Sequence, residues 1–237
     1  MENTWTFYIG PIAFDGTILS MTVLTVLIVF LLVFWASRKM QLKPTGKQNV
    51  LEYVVDFVSG INKDSLGAAE APRFALFTFS LFGFVLIANE LGLVTKISTT
   101  SDLSLWKSPT ANPVITLTLA SLVIILSNLV GAQKFGLKGY IKNSFLKPPA
   151  FMLPMNLFEE FTNTLSLGLR LYGNIFAGEV MLGLLASMAA SNWIMLPIAI
   201  PLEMAWTAFS LFIGAIQAYV FVLLTTVYLS DKVLTEE

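Results

Sequence analysis

The chain has 237 residues, 56% of them hydrophobic and 12% charged, with a formal net charge of -1 and a mean hydropathy of +0.76. A soluble domain carries about 25% charged residues, so this is the composition of an integral membrane protein. The absence of cysteine and histidine excludes disulfides, thiolate or imidazole metal sites and a histidine general base, so proton chemistry falls to carboxylates; no basic face interleaved with aromatics points to nucleic acid.

Met1 to Gly16 contains no lysine or arginine, which is not the basic start of a secretory signal, so the first apolar run is expected to remain in the protein. That run, Thr17 to Ser37, is long enough to cross a hydrocarbon core about 30 Å thick and ends at Arg38 and Lys39. In residues 48 to 61, Val50, Val54, Phe57 and Ile61 fall at helical spacing opposite Glu52, Asp56 and Ser59, the pattern of a helix lying on a membrane surface. A second span is predicted over 74 to 94 and a third over 114 to 132, after the proline-containing stretch "SPTANP". Two longer apolar segments, 157 to 188 and 197 to 229, flank the polar turn "AASNW" and predict a helical hairpin. At about 1.5 Å per residue each exceeds the bilayer, so tilting or protrusion is required. Pro197 and Pro201 are expected in the first turns of the last helix, where a missing N–H costs least.

Lysines and arginines set the orientation. Arg38, Lys39, Lys43, Lys47, Lys63 and Arg73 follow the first span, Lys134, Lys138, Lys142 and Lys147 follow the third, and Lys232 is in the tail. Lys96 and Lys107 stand alone on the other side. The expected architecture is an all-α integral membrane protein, residues 1–237 forming a single membrane domain. It has about five membrane-crossing helices plus one interfacial helix, the N-terminus outside and the C-terminus in the cytoplasm.

The remaining cation, Arg170, is buried within the fourth crossing segment. An arginine at the centre of a spanning helix costs about 2.5–3.5 kcal/mol on insertion scales. Leu157, at the nearer end of the segment, is about 20 Å of helix axis away, too far for the side chain to snorkel to water. Asn163, Ser166, Arg170 and Asn174 fall within about 40° of one direction on a helix and make a polar stripe, with Glu179 on the opposite face. Glu159 shares the arginine's face but lies three turns away. On the last helix, Glu203, Ser210 and Gln217 repeat every seven residues and share a face. Gln217 matches Arg170 in depth and is expected to hydrogen-bond the guanidinium without neutralising it. An unpaired buried cation is strongly unfavourable, so the missing anion is expected from another polypeptide. Glu179, Glu203 and Glu90 belong to the outer half of the membrane, and Glu159 and Glu160 to the inner end. That distribution suits two aqueous approaches, one from each side, meeting near a cation.

With these residues in hand, the sequence resembles subunit a of the rotary proton-translocating ATP synthase in its bacterial form. The resemblance rests on "SLGLRLYGNIFAGE" and "IQAYVFVLLTTVYLS", with weaker similarity at "ANELGLV" and "SPTANPVITLTLA". It implies a stator in the bacterial cell membrane whose last two helices lie against a rotating ring of c subunits, with peripheral-stalk b subunits and the rest of the complex as further partners. It further implies that the family's essential arginine is Arg170, that the missing anion is a ring carboxylate, and that Asn174, Glu179, Gln217 and Glu90 belong to the arginine's surroundings or to the outer half-channel. At the position of Ser210 relatives often carry histidine; serine leaves the outer path to Glu179, Glu203 and water. Glu159 and Glu160 align loosely with inner-side acids. No nucleotide motif of the type GxxxxGK[ST] occurs, so the chain is not expected to be an enzyme on its own, and no cofactor or metal is implied. The alternatives are a self-contained secondary transporter with Arg170 binding an anionic substrate, and a membrane scaffold. The first calls for inverted repeats and broken helices at the midplane, and five apparent crossings give no such pairing.

Overall fold

The protein is described by a computed structural model covering residues 6–9, 12–38, 40–94, 108–136, 153–191 and 195–234. Lys39, Lys96, Lys107, Lys138, Lys142, Lys147 and the Asn192 and Trp193 of the "AASNW" turn lie outside the described residues, the first three residues of that turn closing the fourth long helix instead. The elements in chain order are strands β1 (Thr6–Ile9) and β2 (Ile12–Asp15), helices α1 (Gly16–Ser37) and α2 (Lys47–Val94), a short 3-10 turn (Pro109–Ala111), and helices α3 (Pro113–Phe135), α4 (Leu153–Ser191) and α5 (Leu196–Val233). Five of these helices are long and apolar enough to cross a membrane, so the all-α membrane architecture stands. The antiparallel pair β1–β2, registered from Thr6 opposite Asp15 to Ile9 opposite Ile12, is an addition ahead of α1. The Asp15 carboxylate accepts hydrogen bonds from Thr17 N and Ile18 N, capping α1 and relieving two of its unsatisfied donors.

The helix boundaries follow the apolar runs, with two differences. The surface segment and the second span form a single run, α2, interrupted at Gly67, where φ is 74° and ψ 164°. Pro201 falls beyond the first turn of α5, inside the helix, and removes one rung from its hydrogen-bond ladder.

The described residues fall into two compact units, with α2, α4 and α5 each contributing a length of helix to both. One unit comprises residues 1–40, 83–113 and 171–218, and the other 41–82, 114–170 and 219–237.

In the first unit α1 turns Thr17, Ile18, Met21 and Thr25 inward and leaves Val23, Phe30 and Trp35 exposed. Ile175 of α4 packs with Ala111 of the 3-10 turn, against Leu182 and Leu211. The amide of Asn89, on α2, donates to the Gly214 carbonyl of α5 at 3.0 Å and is fully buried.

In the second unit Leu66, Phe74, Val130, Leu229 and Val233 form one apolar cluster drawn from α2, α3 and α5. The surface stretch of α2 packs differently from its sequence pattern: Val58, Ile61, Asn62 and Leu66 turn inward, whereas Val50 and Phe57 remain exposed. The inward face is shifted because Asn62 donates its amide to Thr78 across the break at 2.8 Å, and that bond carries a polar side chain into the interior. The break itself is held from α5, where Ser230 Oγ donates to the Ser65 carbonyl at 2.7 Å and Thr226 Oγ1 to Ser65 Oγ at 3.1 Å. Gly67 occupies a region of backbone space that is nearly glycine-only, and a substitution there costs roughly 1–3 kcal/mol. Gly67→Ala is therefore expected to lower the midpoint of a thermal scan of the detergent-solubilised protein even though an added methyl group would meet nothing within 4 Å.

Candidate functional site

On the second unit's portion of α4, Asn163 is half-buried and Ser166 and Arg170 are exposed. Arg170 is not enclosed by its own chain, and its side chain lies on the surface of the protein. The reason is local packing. Gly168, two residues earlier and therefore about 200° around the helix, sits so close to α3 that an added methyl group would lie 2.8 Å from the Leu117 side chain and 3.1 Å from its Cα. With that side pressed to α3, Arg170 faces away from it. Among the described residues no carboxylate forms an ion pair with Arg170, whereas Glu70 pairs with Lys134 and Arg73, and Glu160 with Lys232.

The two inner-end acids differ. Glu159 is exposed. Glu160 meets Lys232 at 2.6 Å through one carboxylate oxygen and accepts the Asn128 amide at 3.1 Å through the other.

In the first unit Asn174 donates its amide to the Gln217 carbonyl oxygen at 2.8 Å. Gln217, 3% exposed, thus spends that oxygen on Asn174. Glu179 accepts from the backbone N–H of Ser108 at 3.3 Å. Ser108 is fixed in turn by its hydroxyl, which donates to the Ala88 carbonyl and shares a hydrogen bond with Thr110, each at 2.7 Å. Gly92 makes this arrangement possible: a methyl group there would overlap the Ser108 side chain and lie 2.8 Å from Glu179 Oε1. A second glycine does the same for Glu90, whose Oε1 would be 2.9 Å from a methyl group at position 214. Ser210 is buried and Glu203 half-buried. Between α4 and α5 within this unit lies a cleft of about 200 Å³, lined by Asn174, Gly178, Trp206 and Ser210 among others. A water takes up about 30 Å³ of liquid volume, so the cleft has room for several beside the Ser210 hydroxyl.

Several of these partners were not singled out from the sequence. Ser108, Asn89, Gly92, Gly214, Asn128 and Lys232 act through contacts with residues far along the chain. Asn89 carried a signal, being an amide next to a carboxylate inside an apolar span. Ser108 and Gly92 carried none, because nothing local reveals which segment packs on Glu179.

Five long apolar helices, with an arginine and several carboxylates among their residues, define a multi-pass membrane protein with polar groups built into its spans. The chain belongs to the ATP synthase A chain family, whose model matches residues 18–230. It is similar to ATP synthase subunit a of Enterococcus hirae, with 58% identity over 237 residues covering all of this chain and 99% of that one. Its similarity to the subunit of the same name from Enterococcus faecalis is 57% identity, covering all of this chain and 99% of the relative. With that of Streptococcus pneumoniae it shares 52% identity over 229 residues, covering 97% of this chain and 95% of the relative.

Proposed function

We propose that the chain is the stator of the membrane sector of a bacterial ATP synthase, carrying protons between two offset half-channels and a rotating ring of c subunits. The single observation that carries this reading is the setting of Arg170: mid-helix, exposed on its own chain and without an ion-pairing carboxylate among the described residues. A cation so placed at membrane depth needs an anion from outside the chain, and a ring carboxylate presented in succession by each c subunit supplies one. Family membership and near-complete coverage of relatives named as subunit a support the same assembly.

In this reading the outer half-channel runs past Glu90, Glu203 and Glu179 to the cleft beside Ser210, and the Asn174–Gln217 pair closes its deep end. The inner approach starts at Glu159. Asn163 and Ser166 extend the polar stripe below Arg170. An opposite charge favours the ionised form of a carboxyl group, so Arg170 makes each arriving ring carboxylate release its proton toward the inner side. The same fixed charge raises the barrier to a proton passing straight from one half-channel to the other. The N-terminus lies outside and the C-terminus in the cytoplasm, following the excess of lysine and arginine on the inner side. The b subunits of the peripheral stalk hold the chain against the torque of the ring.

The test is ATP-driven acidification of inverted membrane vesicles whose complex carries Arg170→Ala. Loss of acidification with the complex assembled is the expected result; acidification at the unmodified rate would overturn the assignment.

A further inference from the structure

Glu159 and Glu160 are adjacent in sequence, yet the structure treats them differently. Glu160 has both carboxylate oxygens engaged: Oε1 by the Lys232 ammonium at 2.6 Å and Oε2 by the Asn128 amide at 3.1 Å. The lysine and glutamate side chains are only 19% and 23% exposed. The amide of Asn128 is itself held, since its nitrogen also donates to the Ile124 carbonyl at 2.9 Å, so neither of its protons is free to turn away. Lys232 stands in the last turn of α5, where a cation also meets the negative end of the helix dipole. The three residues come from α3, α4 and α5 and fasten those helices to one another at one point. Glu159, one residue earlier and therefore about 100° around the helix, is exposed.

A carboxylate that exchanges protons needs at least one oxygen open to water or to a donor that can leave. Glu160 has neither oxygen open, one being held by the Lys232 ammonium and the other by the Asn128 amide. We propose that the two neighbouring acids have separate tasks: Glu160 is the anionic half of a fixed tie to Lys232 and Asn128 that holds α5 in register with α4, and Glu159 alone exchanges protons at the inner end. This rests on the stator reading given above. The tie matters there because α4 and α5 carry the groups that must stay aligned while a ring pushes past them. Lys232 and Asn128 thereby become positioning residues.

Charge exchange separates the two roles, measured as ATP-driven acidification per unit of ATP hydrolysed by the assembled complex in inverted vesicles. Glu160→Lys and Lys232→Glu, each alone, place like charges together and are expected to lower pumping at least about fivefold. The combined exchange rebuilds the ion pair with its ends reversed and is expected to restore at least half of the unmodified pumping. Were Glu160 a proton carrier, the exchange would move its carboxylate onto the other helix and pumping would stay below half; that result overturns the proposal, as would single variants that pump normally. Should the single variants fail to assemble, the neutral pair Glu160→Gln with Lys232→Gln keeps hydrogen bonding without charge, and the same threshold of one half decides. Glu159→Gln is expected to lower pumping at least about tenfold, and unchanged pumping would equally overturn the division of tasks. Failure of the exchange while Arg170→Ala still abolishes pumping sinks only the tie. Retention of pumping in Arg170→Ala sinks the stator reading itself.

Discussion

Vesicles carrying Arg170→Ala are expected to show ATP-driven acidification reduced by at least about 100-fold, with the complex still assembled. Removing one preorganised group aimed at a developing charge costs typically about 2.7–4 kcal/mol, and each 1.36 kcal/mol is a factor of ten in rate, so the loss is on the order of 100- to 1,000-fold. Arg170→Lys separates charge from shape. It retains the cation but loses the planar fork of donors that grips a carboxylate through two bonds at once, and its compact ammonium is more strongly hydrated. It should therefore pump at a rate between the other two forms. A second readout follows from the barrier argument: Arg170→Ala vesicles should dissipate an imposed pH gradient faster than unmodified ones, because the fixed charge between the half-channels is gone. Decay of a pH-sensitive dye signal after the ATP supply is cut reports it, and equal decay rates would remove the barrier role while leaving the pumping role to stand or fall separately.

The second large effect is expected far from the arginine. Gly92→Ala should lower pumping about tenfold and reduce the thermal midpoint of the solubilised protein. The added methyl group would overlap the Ser108 side chain, approach the Ser108 Cα to 2.9 Å and reach within 2.8 Å of Glu179 Oε1. Ser108 has nowhere to retreat: it is fully buried and its hydroxyl is bound on two sides. Overpacking of this kind costs typically about 1–3 kcal/mol, against which the gain of about 0.5–1 kcal/mol from replacing a helical glycine by alanine is the smaller term. Relief must come from Glu179 turning away and giving up the Ser108 N–H. Gly60→Ala, in the surface stretch of α2 where a methyl group meets nothing within 4 Å, is the matched control for helix propensity: it should leave pumping unchanged and raise the thermal midpoint slightly. If the two alanine variants behave alike, the Gly92–Ser108–Glu179 packing has no part in proton transfer.

Much of this was legible in the sequence, for a physical reason. A bilayer imposes one dominant constraint, so runs such as Thr17 to Ser37 announce their helices by length and apolarity alone. The stripe containing Arg170 was likewise readable, because spacing along one helix fixes which side chains share a face. Pairing between helices was not. The tie from Glu160 to Lys232 joins residues on two different helices, and the bond from Ser108 to Glu179 crosses a separation of 71 residues. No local pattern encodes which turns of α4 and α5 lie side by side. Depth in the membrane and enclosure by one's own chain are different quantities, and hydropathy reports only the first, so the exposure of Arg170 on its own chain is not legible in the sequence. The strands β1 and β2 were overlooked although the apolar stretches flanking "GP" near the N-terminus are a turn signal.

The proline inside α5 bears on how that helix meets the bilayer. Its 38 residues give an axis of about 57 Å. A crossing tilted by 40°, the upper end of the usual range, uses only about 39 Å of it, so about 18 Å is overhang, or roughly 9 Å at each end if shared evenly. Pro201, the sixth residue of the helix, falls inside that margin at about 7.5 Å from the end. The Pro197 carbonyl, stripped of its usual donor, can there be wetted by headgroup water at little expense. Moved two or three turns inward, the same ring would maroon a carbonyl in hydrocarbon, which makes residue 201 a gauge of where the lipid boundary begins on this helix.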